Sequence, residues 1–245
     1  MTSVDQETPA DQAGFESAWT IADQIPGWLT RAQGAMLWQA VRRLGPAAHI
    51  VEIGSHQGRS TVVLGRAAQA IGARVTAIDP FVEGRLFGGA STRDRFEANL
   101  VRAGVTDTVT LLAEYSTKAR PKWTGGAVDL TYIDGKHDYW TFADDLRWAE
   151  FMAPDAEVLV HDCFSSVGVT SGVALKVLPS RRYSYVDRAG SLARFRVTRP
   201  AAADRVRLVK QLPWFTRNVG LKVLLRLRLR PVARAFGHDS PYDPY

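Results

Sequence analysis

The chain has 245 residues, of which 46% are hydrophobic and 23% charged, with a net charge of +6. This length is sufficient for one domain with a full core, and the single cysteine, Cys163, excludes an intramolecular disulfide and fits a reducing cytoplasm. No apolar leader opens the chain, and no apolar run approaches the roughly 18 residues that a membrane span requires.

The predicted elements alternate between strand and helix from residue 49 onward. Residues 1–15 are polar and acidic without periodicity, which predicts a disordered tail. Helices are predicted at 15–25, 31–44 (with Thr30 as its cap), 60–71, 92–103, 140–152 and 168–178. Strands are predicted at 49–53, 74–78, 108–113, 128–133 and 157–160, followed by a hairpin with arms 183–186 and 191–197. The alternation predicts an α/β fold: a Rossmann-like, mostly parallel sheet with a C-terminal antiparallel hairpin and helices on both faces.

The first strand leads into a glycine turn with an acidic residue before it. Gly54 and Gly58 allow a sharp turn and a close approach of a ligand, and Ser60 and Thr61 are expected to cap the next helix. A dinucleotide fingerprint would space its glycines differently, and Glu52 would lie badly against a pyrophosphate. The carboxylate of Glu52 suits a ligand with an ammonium or sulfonium charge. An ordinary strand–helix turn with incidental glycines is the alternative.

Two further positions continue this candidate site. Asp79 ends the second strand, where a carboxylate can accept hydrogen bonds from both ribose hydroxyls of an adenosine group. The alternative for Asp79 is a local turn with Pro80. Ser116, just after the third strand, is expected near an adenine ring if that strand lies beside the second.

Acidic and histidine residues follow the fourth and fifth strands. Asp134 and Asp162 are expected at the carboxyl edge of the sheet, where two carboxylates suit Mg²⁺. His161 is a further candidate ligand, although a structural role is favoured for it. His137, with an ordinary pKa of roughly 6.5, is the candidate general base for a hydroxyl group, and a loop histidine is the alternative.

These pieces together resemble the small S-adenosylmethionine (SAM) methyltransferases that include the macrocin-type and related sugar O-methyltransferases. The stretch from Glu52 to Ser60 resembles motif I of class I SAM methyltransferases. The other matching pieces are 25–29, 77–80, Phe96 with 99–100, 133–139, Asp144 and Leu146 with Trp148, 161–162, 168–169 and 190–192. The resemblance implies a SAM methyltransferase sheet over residues 16–200.

The resemblance also implies roles for individual residues. It implies SAM bound by Glu52, Gly54, Ser55, Gly58, Ser60, Asp79, Ser116 and Asp134. It implies a metal, Mg²⁺, on Asp134 and Asp162 with His161 beside them, and catalysis by His137 and Asp134. The implied reaction is methyl transfer to a sugar or glycan hydroxyl. Two alternatives are methylation of a small catechol-type phenol and a non-catalytic scaffold with this fold.

The last part of the chain, residues 201–245, is a basic extension beyond the resemblance. Residues 205–234 contain nine Lys or Arg and no Asp or Glu, so the rest of the chain has a net charge of −3. Apolar residues there recur at helical spacing, although residues 226–230 also alternate as a strand does. This segment is expected to contact a membrane surface, and the alternative is a helix packed on its own domain or on a second subunit. No nucleic-acid motif is present, and nucleic acid is not expected as a partner.

Overall fold

The computed structural model describes residues 8–83 and 88–238. The chain divides into two compact units, residues 1–122 and 123–245. The first unit contains the glycine turn and Asp79, and the second contains Asp134, His137 and Asp162. The predicted boundaries near residues 15 and 200 stay predictions.

Two helices open the first unit, α1 (Pro9–Ala22) and α2 (Arg31–Arg42). The helix α1 begins with a proline, which is favourable in the first turn because its missing amide would have no helical partner there. The predicted disordered tail is therefore wrong for residues 9–15, and residues 1–7 lie outside the described residues. Thr30 caps α2 as predicted, in a reciprocal capping box with Gln33.

Three parallel strands form the sheet of the first unit, in the order β3-β2-β1. The strands are β1 (His49–Ile53), β2 (Arg74–Ile78) and β3 (Val109–Leu112), and the helices are α3 (Arg59–Gln69), α4 (Ala90–Ala103) and the short α5 (Ser116–Ala119). All five residues of β1 are buried, as its continuous run of mainly apolar residues predicts for a central parallel strand. Both β1 and β2 have the predicted bounds.

The sheet of the second unit has four strands in the order β4-β5-β7-β6. They are β4 (Val128–Ile133), β5 (Met152–Val160), β6 (Tyr183–Ala189) and β7 (Leu192–Val197). The pair β4 and β5 is parallel, whereas β7 runs antiparallel to both β5 and β6. The strand β5 begins five residues earlier than predicted.

The helices that follow β4 and β5 are shorter than their sequence patterns indicate. The first is α6 (Tyr139–Asp145), which continues as a 3₁₀ segment, Leu146–Phe151. The second is α7 (Val167–Gly172), which continues as a π turn, Val173–Val177. Both lie where helices are predicted, so the chain order of elements is confirmed.

The basic extension is helical in its described part. It forms α8 (Ala202–Val209), α9 (Leu212–Arg226) and α10 (Arg230–Ala235), so the alternative of a strand over 226–230 is wrong. In the part of the chain that the structure describes, no helix has the length and apolarity required to cross a membrane.

Taken as a whole, the seven strands make a mixed sheet that is mostly parallel, with an antiparallel pair at its C-terminal end and helices around it. The predicted fold class is confirmed.

Candidate active site

The glycine turn after β1 has the backbone that its sequence predicts. Gly54 and Gly58 have φ angles of 87° and 89°, a region that glycine enters without steric cost. Gly58 is the N-cap residue of α3, and a Cβ atom there would lie 3.2 Å from the ring of Phe96. No side chain caps α3, so its first amides are directed at the turn, where an anionic group is favoured.

The carboxylate of Glu52 holds this turn together. It is fully buried and accepts hydrogen bonds from the hydroxyls of Ser55 (3.0 Å), Ser60 (2.5 Å) and Thr61 (2.5 Å). The predicted helix cap by Ser60 is therefore wrong, because its hydroxyl turns back to β1. Glu52 is predicted as a direct partner of a cationic ligand, but in this structure its carboxylate organises the turn around the ligand position.

Asp79 links the end of β2 to the same turn. One carboxylate oxygen accepts from the amides of Ser55 and His56, both at 2.9 Å, and the other accepts from the amide of Phe81 at 2.9 Å. An ionised carboxylate has about four acceptor positions, so these three bonds leave capacity for a ligand hydroxyl. The bond from the Phe81 amide is the local turn that was the alternative for Asp79, since Phe81 is only two residues away. The other two bonds link Asp79 to the glycine turn.

Two further side chains of the first unit contact the glycine turn, and a third residue, Ser116, is predicted near the adenine. The side-chain amide of Asn99 donates to the carbonyl of Gln57 at 2.9 Å and fixes the turn from α4. The half-exposed ring of Trp28 lies 5.6 Å from the ring of His56. Ser116 is buried as the first residue of α5.

The second unit brings together the residues predicted to carry chemistry. The ring of His137 lies between two carboxylates: Nε2 is 3.4 Å from Asp134 Oδ1, and Nδ1 is 3.0 Å from Asp162 Oδ2. The buried His161 has its Nδ1 3.2 Å from the same Asp134 oxygen. The four residues come from the ends of β4 and β5, as predicted.

Hydroxyl groups occupy the remaining sides of this cluster. Tyr132 donates to Asp134 Oδ2 at 2.9 Å, and Ser165 donates to Asp162 Oδ1 at 2.8 Å. Asp162 itself has a φ of 55°, and Phe164 has a φ of 61°. A left-handed backbone at a buried non-glycine residue costs of order 1–3 kcal/mol, so the surrounding contacts must hold this turn.

The carboxylates and imidazoles of the cluster shift one another's pKa values. Burial alone lowers the pKa of His137, but its hydrogen bonds to Asp134 and Asp162 and their negative charges more than offset this and raise the pKa to about 10. Burial likewise raises the pKa of both carboxylates, yet the positive imidazoles leave each pKa below its ordinary value. The two carboxylates therefore favour the protonated form of His137, whereas its prediction as a general base assumes an ordinary pKa.

The predicted metal site does not fit this arrangement. Each of the four oxygens of Asp134 and Asp162 lies within 3.4 Å of an imidazole nitrogen or a hydroxyl oxygen. Both ring nitrogens of His137 are directed at these oxygens, so a divalent cation would have to displace it. Across residues 8–83 and 88–238, no group of three or more His, Cys, Asp or Glu side chains has a suitable geometry for a metal ion.

Sequence reasoning missed several residues of these sites. Thr61 is predicted as a helix cap, whereas its hydroxyl donates to Glu52, and Tyr132 and Ser165 have no predicted role. Tyr132 could have been found from the alternation of β4, since it points to the same side as Asp134, two residues on. Ser165 carries no such signal.

Comparisons with known proteins concern the domain type and the fold. A family model described as a methyltransferase domain matches residues 51–163. The structure is similar to that of cofactor-bound Rv0187 from MTB, with a TM-score of 0.58 and 20% identity over 80% of this chain and 94% of that one. It is also similar to an O-methyltransferase from Bacillus cereus in complex with SAH, with a TM-score of 0.57 and 18% identity over 80% and 94%.

A third similar structure is TomG from Streptomyces achromogenes, an O-methyltransferase involved in tomaymycin synthesis and crystallised with SAM. Its TM-score is 0.54, with 19% identity over 80% of this chain and 92% of that one. This chain thus has the Rossmann-like methyltransferase fold of these structures.

Proposed function

We propose that this protein is a SAM-dependent O-methyltransferase that acts on a hydroxyl of a sugar or glycan. The observation that carries the proposal is the glycine turn bound to Asp79 and Glu52, within the stretch that the methyltransferase family model matches. Similar structures contain SAM or SAH, which supports the same cofactor here.

SAM would occupy the turn through backbone groups and Asp79. The carboxylate of Asp79 would accept a ribose hydroxyl, and the amides at the start of α3 would face the methionine carboxylate. Gly54 and Gly58 allow the backbone to approach closely, and Ser55 and Ser60 would line the same turn. Glu52 supports the site through the hydroxyls that it orders, and Ser116 is proposed beside the adenine.

The reaction needs an acceptor oxygen in line with the sulfonium methyl group. The oxygen forms a bond to the methyl carbon as the bond from sulfur to that carbon breaks, and the electron pair returns to sulfur to give SAH. The methylated oxygen still holds its proton and is strongly acidic at that moment. Because the protonated form of His137 is favoured, we propose that a carboxylate of Asp134 or Asp162 takes this proton, and that His137 orients both carboxylates.

Magnesium is not part of the proposed reaction, because the donor groups around Asp134 and Asp162 do not fit a cation without displacing His137. Turnover is therefore expected to survive thorough treatment with EDTA, whereas loss of turnover that only Mg²⁺ restores would contradict this step. A cytoplasmic location stays a prediction from the single cysteine.

The acceptor class is proposed from one exposed side chain as well as from the sequence resemblance. Trp140 is 79% exposed, and its backbone is held because Asp138 accepts from the amides of Trp140 and Thr141. An indole at the surface, three residues after His137 in the chain, offers a flat apolar face to the C–H face of a sugar ring. A small phenol could stack there too, so catechol-type methylation is the second candidate.

Cofactor binding is the first experiment. At a SAM concentration of 100 times its Kd, the folded protein gains about 2.7 kcal/mol, which raises Tm by roughly 5–10 °C for a chain of this size. Asp79→Asn is expected to weaken SAM binding. Asp134→Asn tests the implied contact of Asp134 with SAM, and unchanged binding would leave Asp134 with its role in proton transfer alone. No Tm shift at saturating SAM would favour the scaffold alternative.

Turnover with labelled SAM separates the remaining choices. A panel of sugars, glycosides and catechols identifies the acceptor, and methylation of catechols alone would overturn the sugar assignment. Asp134→Asn is expected to lower kcat. His137→Gln removes a positive charge, so the pKa of both carboxylates rises and the acidic limb of kcat/KM moves to higher pH. If His137 is the base instead, this variant loses kcat at every pH.

A further inference from the structure

The C-terminal helices carry a surface that methyl transfer does not use. Segment 205–234 contains nine Lys or Arg and no Asp or Glu, and all nine lie in α8–α10 or the turns between them. The one acidic residue of these helices, Asp204, precedes this segment in α8. Arg226, Arg228 and Arg230 are exposed and form no ion pair within the described part of the chain. This end of the molecule is therefore strongly positive, although the rest of the chain is slightly negative.

The helix α9 is packed on one side and apolar on the other. Its buried side includes Leu221 and Asn218, whose side-chain amide donates to the carbonyl of Phe164 at 3.1 Å. The opposite side has a stripe of residues spaced by three or four positions, which places them on one helical face. The stripe consists of Leu212, Thr216, Gly220, Val223 and Leu227, of which the three aliphatic residues are 40%, 50% and 63% exposed.

The helix α10 continues the exposed apolar surface. Leu229, Val232 and Phe236 follow at the same helical spacing and are 43%, 41% and 62% exposed. The Arg217 guanidinium of α9 donates to the carbonyl of Phe236 at 2.8 Å, which ties α10 to α9. The two helices thus present exposed aliphatic and aromatic side chains with arginines beside them.

The charge pattern decides between the possible occupants of this surface. A symmetric contact with a second copy would place one acid-free basic segment against another, and the like charges would repel. Nucleic acid would satisfy the arginines but leave the leucine, valine and phenylalanine side chains in water. An anionic bilayer accepts both groups, since apolar side chains enter the boundary of the headgroups while basic side chains face lipid phosphates.

We propose that α9 and α10 bind the surface of an anionic lipid bilayer. Leu212, Val223, Leu227 and Phe236 enter the headgroup region, and Arg226, Arg228 and Arg230 face the phosphates. The helices lie along the surface, since neither is long enough to cross it. The enzyme would then work beside acceptors that are held at a membrane.

The test uses the full-length protein and vesicle sedimentation. Vesicles of phosphatidylcholine mixed with phosphatidylglycerol are expected to bind the protein, and vesicles of phosphatidylcholine alone to bind it much less. Binding is expected to fall as salt rises, because salt screens charges beyond about 10 Å at 0.1 M. Equal binding to both vesicles, or binding to neither, would overturn the proposal.

Matched variants locate the contact. Arg226→Glu is expected to lower binding about fivefold or more, since each basic residue near an anionic surface contributes roughly that factor. Its control is Arg95→Glu, an exposed arginine of α4. Val223→Asp is expected to lower binding, whereas Val101→Asp, at a residue that is 69% exposed on α4, leaves it unchanged.

Other outcomes would assign the surface differently. If Val223→Asp leaves vesicle binding unchanged but converts a dimer to a monomer in sedimentation, the surface binds a second copy and the proposal is wrong. If Arg226→Glu affects binding to a mixed-sequence RNA but not to vesicles, the partner is nucleic acid and the proposal is also wrong. Circular dichroism of each variant checks that the helices remain folded.

Discussion

Replacing Glu52 with Gln tests whether this residue organises the cofactor turn or contacts the cofactor. In the structure, its buried carboxylate accepts three hydroxyl hydrogen bonds, and the donors Ser55, Ser60 and Thr61 are themselves buried. A hydrogen bond to a charged group contributes about 1.5–3 kcal/mol. The glutamine amide keeps one acceptor oxygen and replaces the other with an NH2 group, to which a hydroxyl can turn as an acceptor, so only part of this stabilisation is lost. We expect Glu52→Gln to lower the free energy of unfolding by about 2–4 kcal/mol without cofactor.

Urea denaturation of the cofactor-free protein, followed by tryptophan fluorescence, measures this change. Thr61→Val keeps the side-chain shape and removes one of the three donors, so it should cost less than Glu52→Gln. The double variant should cost less than the sum of the two, by about 1 kcal/mol, because both remove the same bond. The reasoning is refuted if Glu52→Gln changes the unfolding free energy by less than about 0.5 kcal/mol while weakening SAM binding. Glu52 would then be a direct ligand.

Three further predictions concern the turn, the charged cluster and the acceptor. Gly58→Ala should lower the free energy of unfolding by about 1–2 kcal/mol and weaken SAM binding, because its φ is positive and a Cβ atom would lie 3.2 Å from Phe96. Gly72→Ala, where φ is 69° and the space is open, should lower the free energy of unfolding and leave SAM binding unchanged. Calorimetric titration with SAM measures the binding of both variants. The pKa of His137 rises from 6.5 to about 10 on folding, so its stabilising contribution is complete below about pH 6.5 and lost as the pH rises through 10. The difference in unfolding free energy between the wild type and His137→Gln should therefore shrink from pH 7 to 10, and a difference that grows would contradict the cluster geometry. Trp140→Ala should raise KM for the acceptor and leave the SAM Kd unchanged, and equal KM values in steady-state kinetics would remove Trp140 from the acceptor site.

Strand positions were predictable because the signal is local. The bounds of β1, β2 and β4 follow from short apolar runs between turn residues. The start of β5 was missed because Pro154 and Asp155 indicate a loop, although the strand tolerates them through a register shift against β4. Helix α6 was predicted too long because its apolar spacing continues into the 3₁₀ segment.

The chemistry of the sites was less predictable because it depends on contacts that are distant in sequence. Ser60 has the sequence signature of a cap, which considers only the next three residues, but its partner Glu52 is eight residues earlier. The pKa of His137 is raised partly by Asp162, which is 25 residues later. The sequence identified Ser60 and His137 as site residues. It predicted a cap and a general base, whereas the structure places Ser60 against Glu52 and His137 between two carboxylates.

The bonds from Asp79 to the amides of Ser55 and His56 have a consequence for hydrogen exchange. These amides belong to a loop, where exchange with solvent is normally fast, yet a carboxylate holds both at 2.9 Å. Their exchange should be as slow as that of the flanking strand before any cofactor arrives. Because this loop is ordered before SAM binds, it loses little conformational entropy on binding. SAM and the demethylated product would therefore bind the same preformed surface.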